Sequence, residues 1–248
     1  MKNLEKVMKE TWDTLAKKNA MYYIATERTD WKLDEFLESG KIAVQQLFEA
    51  VGYCPNLTNS VIELGCGIGR MSFALARLFR EVIAVDVSEE MIAQANKLKN
   101  QLGCWNVRFI RNNGRDLSFL PSSSCDLGIS VLVFQHLPDH RLIIDYIHEL
   151  GRVVKSGGHV LFQVPIYEDS FWANVWRCLH RFLRRVIWFA QRIKLVSPER
   201  GIAFRGSRLS YTELKQALED TNLKLLTIQR LPSAYRFCYS AIVYCRRL

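Results

Sequence analysis

The chain has 248 residues, 49% of them hydrophobic and 24% charged, with a formal net charge of +9. That length and balance suit a globular α/β protein with a substantial core and exclude a disordered or fibrous chain. The first residues, MKNLEKVMKE, lack the apolar run of a secretory signal, and no run is long enough to span a bilayer. Seven cysteines without a C-x-x-C spacing argue against a zinc ribbon or thioredoxin-like site, and reduced thiols predict a cytoplasmic protein.

Residues 2–50 read as helices. Leu4, Val7, Met8, Trp12 and Leu15 recur at helical spacing, as do Phe36, Leu37, Val44, Leu47 and Phe48. Between the two runs lie Met21, Tyr22, Tyr23 and Trp31. These aromatics either pack an N-terminal layer onto the core or form a lid over a ligand.

The stretch Val61–Arg70, VIELGCGIGR, organises the chain. Val61 and Ile62 suit a buried strand, and Gly65, Gly67 and Gly69 suit a turn that a ligand approaches without a Cβ in the way. Met71 to Phe79 is rich in helix formers, so strand, glycine turn and helix are expected in that order. The helix start would present free N–H groups over the turn. Cys66 is read as a small filler of the turn rather than a nucleophile. Next, Val82–Val85 read as a second buried strand with Asp86 at its carboxyl end. In open α/β sheets an acid there can accept both hydroxyls of a ribose; the alternative is a cap for the following helix. The glycines do not fit a dinucleotide turn: counting G-x-G-x-x-G from Gly65 puts the third glycine at Arg70, and from Gly67 at Ser72.

Further along, Ser88 caps a helix over Ser88–Gln101 that Gly103 ends, and Val107–Arg111 forms a third strand. Asn112, Asn113 and Gly114 follow it, either as an Asx turn or as an amide facing a nucleobase. Cys125–Phe134 reads as a central parallel strand, followed by Gln135 and His136. His136 is the candidate general base at that strand end, with a packing or capping role as its alternative. No metal site is predicted: His136 and His140 are four apart, but Pro138 interrupts the turn. A helix over Asp139–Val154 precedes Gly157 and Gly158, which turn into a fifth strand, His159–Val164.

The run E-L-G-C-G-x-G-R resembles the first motif of class I S-adenosylmethionine-dependent methyltransferases, and GRVVKSGG resembles that family's E-x-x-R-V-L-K-P-G-G with Ser156 for proline. The resemblance covers Val61 to Val164. It implies S-adenosylmethionine as cofactor, held by Glu63, Gly65, Cys66, Gly67, Gly69, Asp86, Val87, Met91, Asn113, Gly114 and Val131, with Tyr22 or Tyr23 near its methionine carboxylate. Asn112 and Asn113 stand where the family often carries Gly-Asp. The methyl group would react above the fourth strand. No (N/D/S)-P-P-(Y/F) run follows that strand, which argues against exocyclic nucleobase amines as acceptors.

Ser170–Pro198 carries six Lys/Arg and no acid. On a helical wheel Arg177, Arg181, Arg184, Arg185 and Arg192 share one side, with Trp188 among them. Val175, Leu179, Phe182, Val186, Phe189 and Ile193 lie opposite, flanked by Trp172 and Trp176. The simplest expectation is an apolar side packed on the domain and a basic side in water. A membrane-surface helix and a lid over an apolar substrate are the alternatives. Ser210–Glu213 resembles a capping box, and Leu223–Arg230 and Phe237–Cys245 read as the closing strands.

The expected architecture is therefore α/β: a seven-stranded, mostly parallel sheet with helices on both faces. It divides into an N-terminal helical lid (1–52), a Rossmann-like cofactor core (53–165), a basic amphipathic insertion after strand five (166–208), and a closing helix with two strands (209–248). The expected activity is methyl transfer to a small organic molecule, through oxygen or carbon. An RNA methyltransferase and a non-catalytic cofactor- or membrane-binding domain are the alternatives; peripheral membrane contact is a candidate partnership and nucleic acid is disfavoured.

Overall fold

The structure is a computed structural model that describes residues 2–168, 170–192, 206–232 and 238–248. Its elements in order are α1 (Lys2–Ile24), α2 (Leu33–Val51), β1 (Ser60–Leu64), α3 (Ser72–Leu75), β2 (Glu81–Asp86), α4 (Glu89–Leu102), β3 (Val107–Arg111), β4 (Cys125–Ser130), α5 (His140–Val153), β5 (Val154–Tyr167), α6 (Phe171–Arg192), α7 (Tyr211–Glu219), β6 (Leu223–Leu231) and β7 (Cys238–Arg247). The seven strands form one sheet in the order β3-β2-β1-β4-β5-β7-β6. β1 to β5 run parallel, and β7 enters antiparallel between β5 and β6. The predicted seven-stranded, mostly parallel sheet is thus present, with β7 as its reversed strand.

Alternation along the strands builds two apolar layers. Ile62, Leu64, Ile83, Val85 and Phe162 pack with α5 and α7 on one side. Val61, Val82, Ala84, Leu127, Ile129 and Leu161 pack with α2 and α3 on the other. Both sides of the central strands are covered, which is why those strands are mostly apolar, with Glu63 of β1 as a buried exception. Ala16, Ala20 and Phe36 add a smaller cluster where α1 and α2 meet Ile68 and Met91.

Four local expectations are corrected. The helix behind the glycine turn is only Ser72–Leu75 and continues to Phe79 as irregular turns mixing i→i−3 and i→i−4 bonds. It is too short to offer a helix-terminus anion site. β4 stops at Ser130 because Leu132 adopts φ +62°, a left-handed conformation that breaks the ladder; a 3₁₀ turn, Phe134–His136, follows. β5 already begins at Val154, so Gly157 and Gly158 lie within it, beside a register shift in its pairing with β4.

The fourth correction concerns α6, which is turned inside out relative to the simplest expectation. Ala173 is fully buried beneath it, and Arg181 reaches inward to both carboxylate oxygens of Glu213 at 2.9 Å. Phe171, Trp172 and Phe182 are 73%, 66% and 63% exposed, and Val175, Trp176 and Leu179 are exposed as well. The small residue lets the helix approach, and the acidic end of α7 attracts the arginine. Glu213 is also the N3 residue of the predicted Ser210 capping box, which is present. The side chains of Arg184, Arg185, Trp188, Phe189, Arg192, Ile193 and Lys194, and the predicted strand start at Phe237, lie outside the described residues.

Candidate active site

The carboxyl ends of β1, β2 and β4 open into a cavity of about 530 Å³. Of the predicted residues, Glu63, Gly65, Cys66, Gly67, Asp86, Val87, Met91, Val131, Tyr23 and His136 line it; Gly69, Asn113, Gly114 and Tyr22 do not. Gly65, Gly67 and Gly69 all have positive φ. A Cβ on Gly65 would stand 2.2 Å from the Val133 side chain. One on Gly67 would stand 2.5 Å from Ile24, so the space left by that glycine is filled by the end of α1.

Asp86 ties the turn to the sheet. Its Oδ2 accepts from the Gly67 N–H and its Oδ1 from the Ser88 N–H, both at 2.9 Å. Ser88, not Asp86, caps α4, through Oγ accepting from the Met91 N–H. A carboxylate oxygen can accept more than one hydrogen bond, and Asp86 lines the cavity. Burial raises the Asp86 carboxyl, and the backbone donors pull it back.

Glu63 is buried, and Ser72 Oγ donates to its Oε2 at 2.5 Å. Burial pushes its carboxyl up to about 7, opposed by Ser72 and by Arg70. The unfolded carboxyl ionises near 4.5, so between pH 4.5 and 7 unfolding releases a proton that the folded state holds. Glu63 therefore subtracts nothing below pH 4.5, and its penalty grows through that window to about 3 kcal/mol above pH 7. Glu63→Gln should accordingly raise the unfolding midpoint of the ligand-free protein at pH 8 and lose that advantage toward pH 4.5. A midpoint difference independent of pH, measured by denaturant titration, would show that Glu63 is ionised throughout.

Both asparagines close Asx turns: Asn113 Oδ1 accepts from the N–H groups of Arg115 at 2.8 Å and Asp116 at 3.0 Å, and Asn112 Oδ1 from the Gly114 N–H at 3.2 Å. Of the two, Asn112 lines the cavity, buried, with its Nδ2 donating to the Tyr146 hydroxyl at 3.0 Å. The amide facing the cavity is thus one position earlier than predicted. Burial raises the Cys66 thiol well above its ordinary range, which fits a filler.

α1 roofs the cavity with Met8, Trp12, Tyr23 and Ile24. It is kinked at Asn19, whose Oδ1 accepts from the Tyr22 N–H at 3.1 Å. Asp13 pins it to α4, accepting from Ser88 Oγ at 2.7 Å and the Glu90 N–H at 3.2 Å. Tyr22 stacks edge-on against Tyr23 from outside. The sequence pattern marked Met8 and Trp12 as packing residues only.

Beyond the turn, the cavity extends over β4, β5 and β7. His136 lies there, edge-on to Trp12 at 5.3 Å, with its Nε2 3.2 Å from Gln135 Nε2. The Leu132 N–H donates to Gln163 Oε1 at 3.2 Å, and Gln163 Nε2 donates to Ser240 Oγ at 2.9 Å. This chain of bonds steadies a non-glycine residue held at positive φ, a conformation that costs of order 1–3 kcal/mol. Gly206 presses so closely on Gln135 that a Cβ would meet its carbonyl oxygen at 1.5 Å, and the Ser207 N–H donates to the Leu137 carbonyl. Arg208 enters the lining from this returning segment. Gln163 and Arg208 had no signal in the sequence, since their neighbours along the chain reveal nothing of the wall they complete. Arg70, read from sequence only as a missing glycine, also lines the cavity; its Nε is buried without a hydrogen-bond partner, and burial lowers its ordinary high value.

Residues 61–158 match the family model described as a methyltransferase domain. Trans-aconitate 2-methyltransferase of Deinococcus radiodurans is 34% identical over 111 residues, 44% of this chain and 39% of that enzyme. The chain spans less than two thirds of the length of the first curated relatives it matches. Among solved structures, geranyl diphosphate C-methyltransferase of Streptomyces coelicolor, in complex with S-adenosyl-L-homocysteine, superposes with a TM-score of 0.64 at 14% identity, covering 99% of this chain and 98% of that one. Magnesium protoporphyrin IX methyltransferase of Synechocystis, also with that product bound, gives 0.60 at 18% identity, covering 98% and 99%. At these identities the superpositions speak to the fold.

Proposed function

We propose that this chain, which belongs to the class I S-adenosylmethionine-dependent methyltransferases, transfers the methyl group of that cofactor to an oxygen or carbon of a small organic molecule. When bound, the cofactor supplies an electrophilic methyl group. The observation that carries the reading is one cavity lined both by the glycine turn, Asp86 and Glu63 and by His136 and Arg208. In this reading Asp86 accepts the ribose hydroxyls, Asn112 meets the adenine edge, and Glu63 partners the methionine ammonium. Arg70, with its unpaired buried Nε, takes the methionine carboxylate. His136 accepts a proton from the acceptor. Trp12 and Met8 exclude water, and the walls align the acceptor for in-line attack, where orientation can contribute about 7–11 kcal/mol.

The acceptors named for similar proteins, trans-aconitate and geranyl diphosphate, are small molecules. A membrane joins the proposed partners through α6. The location proposed is cytoplasmic, consistent with seven free cysteines; no helix among the described residues is long and apolar enough to cross a membrane.

Calorimetry with S-adenosylhomocysteine should give binding and a raised melting temperature, as any ligand of the native state must. NAD should give neither. Stabilisation by NAD alone would overturn the reading. Arg70→Met should weaken S-adenosylhomocysteine by about 10-fold or more, the loss of a charge-assisted contact of about 1.5–3 kcal/mol. It should leave 5′-methylthioadenosine, which lacks the amino-acid carboxylate, unaffected. Equal losses for both ligands would remove Arg70 from that role.

A further inference from the structure

Methyl transfer as described above gives no part to Arg208, a charged residue of the cavity wall. It stands half-buried in a run, 206–210, whose other residues are buried. The segment is strapped down on both sides of it. The Ser207 N–H donates to the Leu137 carbonyl at 2.8 Å and the Leu209 N–H to the Pro165 carbonyl at 3.1 Å. The Tyr167 N–H returns a bond to the Leu209 carbonyl at 2.8 Å. The Arg208 carbonyl is spent on α6, accepting from Arg181 at 3.5 Å. Its guanidinium hydrogen-bonds the thiol of Cys238, at the start of β7, and so opposes the rise that burial gives that thiol. Cys238 lines the cavity too, so the charged end of Arg208 belongs to the wall along with its backbone.

Charge sorts the lining by element. Its acids are Glu27, which follows α1, Glu63 of β1 and Asp86 of β2. Among the described lining residues from 163 onward, Arg208 is the charged one, set among neutral groups such as Gln163, Pro165, Leu231 and Ser240. Arg230 lies outside the lining, exposed, over the Tyr239 ring at 4.3 Å and paired with Glu168. An anion leaves water for such a wall only if a matched charge receives it, and the planar guanidinium fork fits a carboxylate or phosphate. We infer that the methyl acceptor carries a compact oxyanion, a carboxylate or a phosphate monoester, and that Arg208 holds it. The inference rests on the methyl-transfer reading. A guanidinium lowers the basicity of the oxyanion it grips, so that group anchors the acceptor and a different atom is methylated. The segment also ties the anchor to the base. Gly206 lies so close to the turn after β4 that a Cβ on it would meet the His136 backbone nitrogen at 2.6 Å. An acceptor gripped at Arg208 is thereby held in a set relation to His136.

The test is calorimetric titration of the chain, saturated with S-adenosylhomocysteine, with four probes that share one tail: hexanoate, hexyl phosphate, 1-hexanol and hexylammonium. At least one of the two anions should bind about tenfold or more tightly than 1-hexanol, and hexylammonium should bind most weakly. Whichever anion leads distinguishes a carboxylate anchor from a phosphate one. Arg208→Met should bring the anions down to the level of 1-hexanol, and Arg208→Lys, which keeps the charge, should retain part of the preference. An unchanged melting shift with S-adenosylhomocysteine verifies that both variants fold. Should the Met variant not fold, the four probes on the wild-type chain and the Lys variant still decide. Equal binding of anions and 1-hexanol, binding of neither anion, or an anion preference that survives Arg208→Met overturns the inference while leaving the methyl-transfer reading in place. Failure of S-adenosylhomocysteine to bind the wild-type chain overturns that reading, and this inference with it.

Discussion

Asp86→Ala is expected to weaken S-adenosylhomocysteine binding by roughly 10²–10⁴-fold. Two hydrogen bonds to a charged acceptor are lost, each contributing about 1.5–3 kcal/mol, with tenfold for each 1.4 kcal/mol. The effect has a second source in the structure. The same carboxylate holds the Gly67 and Ser88 N–H groups, so its removal also loosens the glycine turn that the ligand must lie against. Asp86→Asn keeps the side chain's shape and one acceptor oxygen and should recover part of the loss. Circular dichroism should show the sheet intact in both variants. Unchanged affinity in the alanine variant would leave Asp86 as a brace for the turn alone.

His136→Asn is expected to lower turnover by about 10²–10⁴-fold, the usual contribution of a positioned general base. Cofactor affinity should be nearly unaffected, because His136 is carried by the turn after β4, whereas Glu63 lies in β1 and Asp86 ends β2. Asparagine still offers polar atoms to Gln135, so loss of the imidazole is the main change. The wild-type rate should rise with pH over the range in which imidazoles become neutral, and that dependence should vanish in the variant. Wild-type turnover in the Asn variant would leave alignment as the whole mechanism.

The cofactor end of the cavity was legible because its chemistry is local in sequence. A strand, three glycines and an acid at the next strand end lie within 26 residues, 61 to 86, and each of those residue types is demanded by backbone geometry or hydrogen bonding. The amide was legible only to within one position, because Asn112 and Asn113 are the same residue type, both close turns, and differ in that Asn112 alone is buried against Tyr146 and lines the cavity. The acceptor end was not legible. Gln163 lies in an apolar strand, and Arg208 follows a glycine whose need for closeness is set by Gln135, 71 residues away. α6 shows the same limit. Periodicity established that the helix has two sides, but not which side faces in, since that depends on Glu213, 32 residues beyond Arg181. Short-range rules also overextended the helix after the glycine turn: Met71 to Phe79 has the propensity, and burial on both sides overrides it.

The roof made by α1 has a kinetic meaning. Ile24 occupies the space a side chain at Gly67 would take, and Met8, Trp12 and Tyr23 complete the cover. A ligand lying against the glycine turn would be covered on one side by α1. The hydrogen bonds of Asp13 to Ser88 and Glu90 hold that cover in place and the bend at Asn19 divides it, so release of such a ligand would be faster if those bonds were removed. Exchange of a bound cofactor would then depend on two elements outside the sheet, α1 and α4, as well as on the glycine turn.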